Sequence, residues 1–455
     1  MNWLLLLEIA YITLLLLALV MAKGRLVSPS VIFSASFSVM LIFTNVFQEY
    51  FQFQIKAKTF WVMLIAGVIF LLTEHFYRLT VSTVRVRSPY RTRKQEQLHS
   101  LTQNKPIEIQ PFVQNVFLAI MIFGVFFAVF NLFYFAGGSG SWNAMMSAYR
   151  RTKLYTRGTA RLQFTIVNQI VNIAVALAHV CTYILVYNRQ VCGIPVLPQK
   201  RLALIALLFA PLTSISTGGR QATVELAIFI FIIVLLLAPM SKKKLKIWKL
   251  LLQGLVFLSV FFIVFTGAAT LVGRVEKYRD PILYVADYLC SGLANFNQGI
   301  DSPSIHEYWG QATFANLYSL VNKFGLIPDE MVLSYHSSGW VGEYASSTTV
   351  TIFGRWYEDF GTTGVFVMSG VVSLIFSYLM YSKILHKPSP NLFHIIFAQQ
   401  AMALVWASYD DRFYSLLAVG NVIKLLLMAF FYWLTVGRGR RFKFVFGKKR
   451  HLLRD

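Results

Sequence analysis

Apolar residues in this chain fall into long runs separated by short polar breaks. Roughly 17 to 25 apolar residues are needed to cross a bilayer as a helix. On that measure the pattern predicts about eleven spans, at residues 3–21, 28–47, 60–77, 113–135, 164–187, 202–216, 222–238, 248–272, 364–381, 393–408 and 414–435. The runs at 202–216 and 393–408 are short for a crossing. No small-residue cleavage site follows the first run, so it reads as a retained helix and not a signal peptide. The fold class expected is an all-α polytopic membrane protein, a single integral membrane domain over residues 1–455. No internal repeat or low-complexity tract interrupts it.

Lysine and arginine orient the spans, because basic residues hold loops in the cytoplasm. With the N-terminus outside, 27 of the 42 basic residues fall in inner loops, 14 fall outside and Lys424 lies within a span. The inner segments include a basic loop at 78–112 and a basic tail at 436–455. The outer ones include a basic loop at 136–163 and a large segment at 273–363, between spans 8 and 9. Its portion 281–300 is too apolar for a free loop and reads as interfacial helix.

Composition narrows the class further. The chain is 56% hydrophobic, 16% aromatic and 13% charged, with mean hydropathy +0.59, which excludes a soluble domain of this size. The net charge of +23 is topogenic and no nucleic-acid partner is expected; anionic membrane lipids are the partner it implies. Cys181, Cys192 and Cys290 fall in a span, an inner loop and an outer loop, with neither disulfide nor metal-ligand spacing.

The outer arginines depart from this pattern. Arg150, Arg151, Lys153, Arg157 and Arg161 crowd one loop. Arg220 sits in Thr217-Gly218-Gly219-Arg220-Gln221, a tight corner between two spans. Charge there is costly unless it has a function. The two glycines permit close backbone approach, and the helix that follows directs free N–H groups and its positive dipole end to the same place. Arginine suits a diphosphate because its planar fork makes paired charge-assisted hydrogen bonds. The candidate diphosphate-binding set is Arg220, Arg274, Arg355 and Arg412; the alternative is binding to lipid headgroups. Glu225, one turn below Arg220, reads as its orienting partner. Asn168, Asn172 and His179 share a stripe of the fifth span, facing a cavity or neighbouring helices.

No outer acids form an Asp-x-Asp pair, so no metal and no cofactor is expected. A general base to deprotonate an acceptor hydroxyl would come from Glu343, Glu358, Asp359, His336, Asp410, Asp411 or His306. Tyr308, Trp309, Trp340, Trp356 and Tyr357 are candidate sugar-stacking rings; an interfacial aromatic belt is the other reading.

The stretch Gly354-Arg355-Trp356-Tyr357-Glu358-Asp359-Phe360-Gly361-Thr362-Thr363-Gly364-Val365 resembles the Tyr-x-Asp-Phe-Gly-x-x-Gly signature of bacterial oligosaccharide repeat-unit polymerases, the Wzy-type family. Gly218-Gly219-Arg220 looks like that family's arginine corner. Arg274 matches by position, and the Ile327-Pro328 region is similar. The resemblance covers most of the chain in span layout and is tight only over these motifs. It implies a membrane glycosyltransferase of the bacterial plasma membrane with its site on the extracytoplasmic side. Its substrates would be undecaprenyl-diphosphate-linked oligosaccharides, joined by inverting, metal-independent transfer into O-antigen, capsule or exopolysaccharide. A flippase and a chain-length regulator would be pathway partners. Related O-antigen ligases share the architecture but use a histidine in the large outer loop, for which His306 and His336 qualify. A flippase for the same lipids should show repeats and small outer loops. A transferase using a monosaccharide–lipid phosphate would need an acidic pair in the first outer loop, where Glu49 stands alone.

Overall fold

A computed structural model of the protein describes residues 2–52, 54–86, 105–137, 140–155, 159–219, 221–241, 281–301, 308–333, 339–341, 345–347, 349–385 and 389–437. It is built almost wholly of helices: α1 Trp3–Met21, α2 Pro29–Val46, α3 Ala57–Val86, α4 Pro111–Ala136, α5 Trp142–Tyr155, α6 Thr159–Gln190, α7 Lys200–Thr217, α8 Gln221–Leu237, α9 Pro281–Gly299 and α10 Ala315–Lys323. A ribbon of β1 Gly339–Val341 and β2 Ala345–Ser347 comes next. After it come α11 Ile352–Ser377, α12 Leu392–Gln400, α13 Met402–Val405, α14 Phe413–Leu416 and α15 Val419–Tyr432. Local sequence sets the starts. Asn2 caps α1 through Oδ1, which accepts from the Leu4 and Leu5 N–H groups, and proline occupies the first position of α2 and α4, where its missing N–H costs nothing.

Nine helices among the described residues are long and apolar enough to cross a membrane, and they coincide with nine of the eleven predicted spans. The protein is an all-α polytopic membrane protein. The predicted span 248–272 lies outside the described residues. The predicted span 393–408 is a shorter apolar helix, Leu392–Val405, which turns at Ala401 between α12 and α13. The ninth span corrects the sequence reading: α11 begins at Ile352 and not at 364. It bends at Gly361, whose φ of 61° and ψ of −155° suit only glycine. Gly364 is forced by the same bend, since a Cβ there would lie 2.2 Å from Phe360 Cβ.

The helices pack as two groups. In one, α11 lies along α3, and α1 packs on α2 and α3; in the other, α6 and α4 flank α7, with α8 and α15 against α6. α12 touches α8, α6 and α15, and α13 touches α2, so this short helix joins the groups. Rings fill the first group: Phe33 stacks on Phe70 at 4.2 Å and Phe37 on Phe353 at 5.2 Å.

Buried Glu74 ties α3 to the start of α2. Its carboxylate accepts from both Ser28 and Ser30 hydroxyls, from the Ser30 N–H at 2.6 Å and from the Tyr381 hydroxyl at 2.6 Å. Hydrogen bonds to a charged group each contribute about 1.5–3 kcal/mol, so Glu74→Ala is expected to cost at least about 3 kcal/mol. A lower thermal midpoint of the purified protein is the expected result; an unchanged one refutes it.

Residues 281–301 are fastened to the bundle. Asn297 accepts from the Lys56 N–H and the Thr59 hydroxyl and donates to the Gln54 carbonyl, and Lys58 Nζ donates to the Ile300 carbonyl. α9 is therefore one helix docked on α2 with Leu293, Ala294 and Phe296 buried. All three cysteines are buried and none is in a disulfide.

Candidate functional site

A cavity of about 520 Å³ opens among α6, α8, α10, α12, α13 and α15, within the usual size range of a ligand site, about 300–1,000 Å³. It lies at the end of the bundle that carries the α7–α8 corner, where Gly218 closes α7 in the left-handed conformation (φ 63°). Asn168, Gln169 and Asn172 reach it from α6, Gln221 and Glu225 from α8, Gln399 and Gln400 from α12, and Asn421 and Lys424 from α15. Trp406 and Arg412 come from the chain between α13 and α14, and Lys323 from the end of α10. Thus Asn168, Asn172, Glu225 and Lys424, polar residues inside apolar runs, converge as the cost of burying them suggests. His179 does not join them; its Nδ1 lies 2.6 Å from the Val175 carbonyl and its ring 4.3 Å from Phe229.

A chain of contacts fixes the charged side of the cavity. Gln221 Nε2 donates to Glu225 at 2.6 Å, Arg412 Nη2 donates to Gln221 Oε1 at 3.2 Å, and the same nitrogen pairs with Asp410 at 2.9 Å. Each link fixes the orientation of the next, and Arg412 Nε is left without a hydrogen-bond partner among the described residues. Burial holds the Asp410 carboxyl above its ordinary range, against the pull of Arg412 and Arg355.

Arg355, grouped with Arg412 in the expected diphosphate-binding set, does not line this cavity. It is 7% exposed, its guanidinium lies 3.7 Å over the Tyr414 ring, and its Nε is 3.8 Å from Asp411, which is wholly buried. This pair fastens α11 to the turn before α14. Burial pushes the Asp411 carboxyl up to about 7, although Arg355 works against it. Folding therefore takes up a proton. The stability this adds is full below the ordinary value of 3.8 and is lost as pH rises through about 7. The thermal midpoint should fall between about pH 6 and about pH 8 in the wild type and stay flat in Asp411→Asn. Equal slopes would contradict this.

The signature stretch 357–361 is a structural corner. Asp359, one of the candidate bases, accepts from the Ala312 N–H at 3.0 Å and the Thr313 N–H at 2.6 Å, which anchors α11 to that segment. Tyr357 donates its hydroxyl to the Ile300 carbonyl at 2.8 Å and is 5% exposed. Trp356 is 1% exposed, edge-on to Phe413 and Phe353. Neither ring presents a face to a sugar. Trp309 does: it is 75% exposed and stacks on Phe314 and leans on Phe360. Tyr308 beside it and Glu358 are half-buried. Arg220, Arg274, Arg157, His306, His336 and Glu343 lie outside the described residues, as do the side chains of Arg161 and Trp340.

Gln221, Gln399, Gln400, Trp406, Asn421 and Lys323 carry no motif and were not anticipated. The available signal was two adjacent glutamines in a run too short to span, and an asparagine three residues before a lysine in the last run. Among the described residues no group of three or more His, Cys, Asp or Glu side chains is placed to hold a metal ion. Fold and cavity together define a polytopic α-helical membrane protein with a polar, cation-bearing pocket at one end of its bundle. No family model matches the chain, and neither a curated protein nor a solved structure matches it.

Proposed function

We propose that the protein polymerises undecaprenyl-diphosphate-linked oligosaccharide repeat units on the extracytoplasmic side of a bacterial plasma membrane. The observation that carries this reading is the meeting of Lys323, Arg412 and Lys424, from three separate elements, in one cavity bordered by the residue that follows Arg220. Cations at such a site stabilise charge that develops on a departing diphosphate. The hydroxyl oxygen at the non-reducing end of the incoming unit forms a bond to the anomeric carbon of the donor. The bond from that carbon to the diphosphate oxygen breaks with inversion, and undecaprenyl diphosphate leaves with the electron pair. Glu225 is the one carboxylate lining the cavity among the described residues and takes the hydroxyl proton. Exposed Trp309 supplies a stacking face for the glycan.

The test is deletion of the gene in its host, with lipid-linked and surface glycans resolved on a gel. Single units on the outer face without a ladder support the reading. Long chains left on undecaprenyl diphosphate point to a ligase, units held in the inner leaflet to a flippase, and an unchanged ladder rejects all three.

A further inference from the structure

The uncharged wall of the cavity has a chemistry of its own. Gln399 and Gln400 are 8% and 7% exposed, yet Gln399 Oε1 and Gln400 Nε2 have no hydrogen-bond partner among the described residues, and neither has Trp406 Nε1. Leaving a buried polar atom unpaired costs about 1–3 kcal/mol, and native structures carry few such atoms without a reason. The Gln400 amide is fixed in orientation. Asn421 Nδ2 donates to Gln400 Oε1 at 3.2 Å and to the Leu416 carbonyl at 3.1 Å, so the Gln400 amide oxygen is occupied and its NH₂ faces outward as a donor. On the opposite helix the Asn172 amide donates to Gln169 at 3.3 Å. α12 ends at Gln400, beside Ala401.

The wall thus offers an acceptor at Gln399 and donors at Gln400 and Trp406, all neutral. A phosphate satisfies only the donors, and the Gln399 oxygen repels it. A hydroxyl gives one hydrogen bond and accepts others, so neighbouring ring hydroxyls complete all three. Arg412 and Lys424 border the same space. We infer that Gln399, Gln400 and Trp406 form a sugar-recognition subsite that binds the hydroxyls of the ring attached to the diphosphate, while the cations bind the diphosphate. This rests on the function proposed above and adds to it that the donor's first sugar is selected inside the bundle. The glycerol diol of phosphatidylglycerol presents the same chemistry, a diol beside a phosphate.

The experiment titrates the full-length protein in phosphatidylcholine nanodiscs with undecaprenyl diphosphate, and with undecaprenyl diphosphate carrying glucose, galactose or N-acetylglucosamine. Wild type is compared with Gln399→Met/Gln400→Met, which keeps side-chain volume and removes the amides. In wild type at least one sugar-bearing lipid should bind about 10-fold or more tighter than undecaprenyl diphosphate. The double variant should lose that margin and bind undecaprenyl diphosphate within about 2-fold of wild type, which also reports that it is folded. If it does not fold, Trp406→Phe, which loses only the N–H donor, should weaken the sugar-bearing lipid alone by about 5-fold. Equal affinity of wild type for all four lipids, or parallel loss of both kinds in the variant, overturns the subsite and leaves the diphosphate site standing. No binding of undecaprenyl diphosphate to wild type overturns the proposed function and the subsite with it. Displacement of the sugar-bearing lipid in phosphatidylglycerol nanodiscs, in wild type but not in the variant, assigns the wall to a bilayer headgroup and overturns the subsite.

Discussion

Arg412→Ala is expected to lower chain formation by on the order of 100-fold or more, the usual loss when one preorganised contact to developing charge is removed. Arg412 is held toward the cavity by Asp410 and Gln221, with Nε unused. The variant should still fold. Its side chain is 26% exposed, and Asp410, already held above its ordinary range by burial, takes a proton when its partner is lost. Arg412→Lys keeps the charge without the fork and should fall between the two. The readout is the glycan ladder in the deletion host at matched protein level. A normal ladder from Arg412→Ala would remove this residue from the site.

Arg355→Ala should fail in the opposite way, by loss of protein and not of chemistry. Breaking a buried ion pair on one side costs about 3–5 kcal/mol because the remaining charge is uncompensated, and here the stack on Tyr414 is lost as well. The loss should be larger at pH 8 than at pH 6, since Asp411, pushed up to about 7, can take up a proton at the lower pH. Adding Asp411→Asn should restore much of the thermal midpoint. Arg355→Ala protein with a wild-type midpoint and no ladder would instead return Arg355 to the ligand-binding set.

The bundle can be read from the runs because a bilayer demands long apolar helices, and nine described helices follow the pattern. The misreadings share a cause. Residues 352–363 look like a loop because Arg355, Glu358 and Asp359 are charged, yet Arg355 and Asp359 have buried partners from distant segments, which no local pattern reveals. The same contacts turn Trp356 and Tyr357 from candidate surface rings into core. Of the site, Asn168, Asn172, Glu225 and Lys424 are visible as polar residues at apolar positions. Gln399 and Gln400 are not, because no motif marks their short run as the wall of a cavity formed by helices distant in sequence.

Photolabelling tests the central claim most directly. A photoreactive undecaprenyl diphosphate analogue would be crosslinked to the protein in nanodiscs and the labelled peptides mapped by mass spectrometry. Labelling concentrated in peptides bearing Asn168–Asn172, Gln221–Glu225 and Gln399–Lys424, and displaced by unlabelled undecaprenyl diphosphate, is the expected result. Labelling elsewhere, or labelling that no excess of undecaprenyl diphosphate displaces, would contradict it.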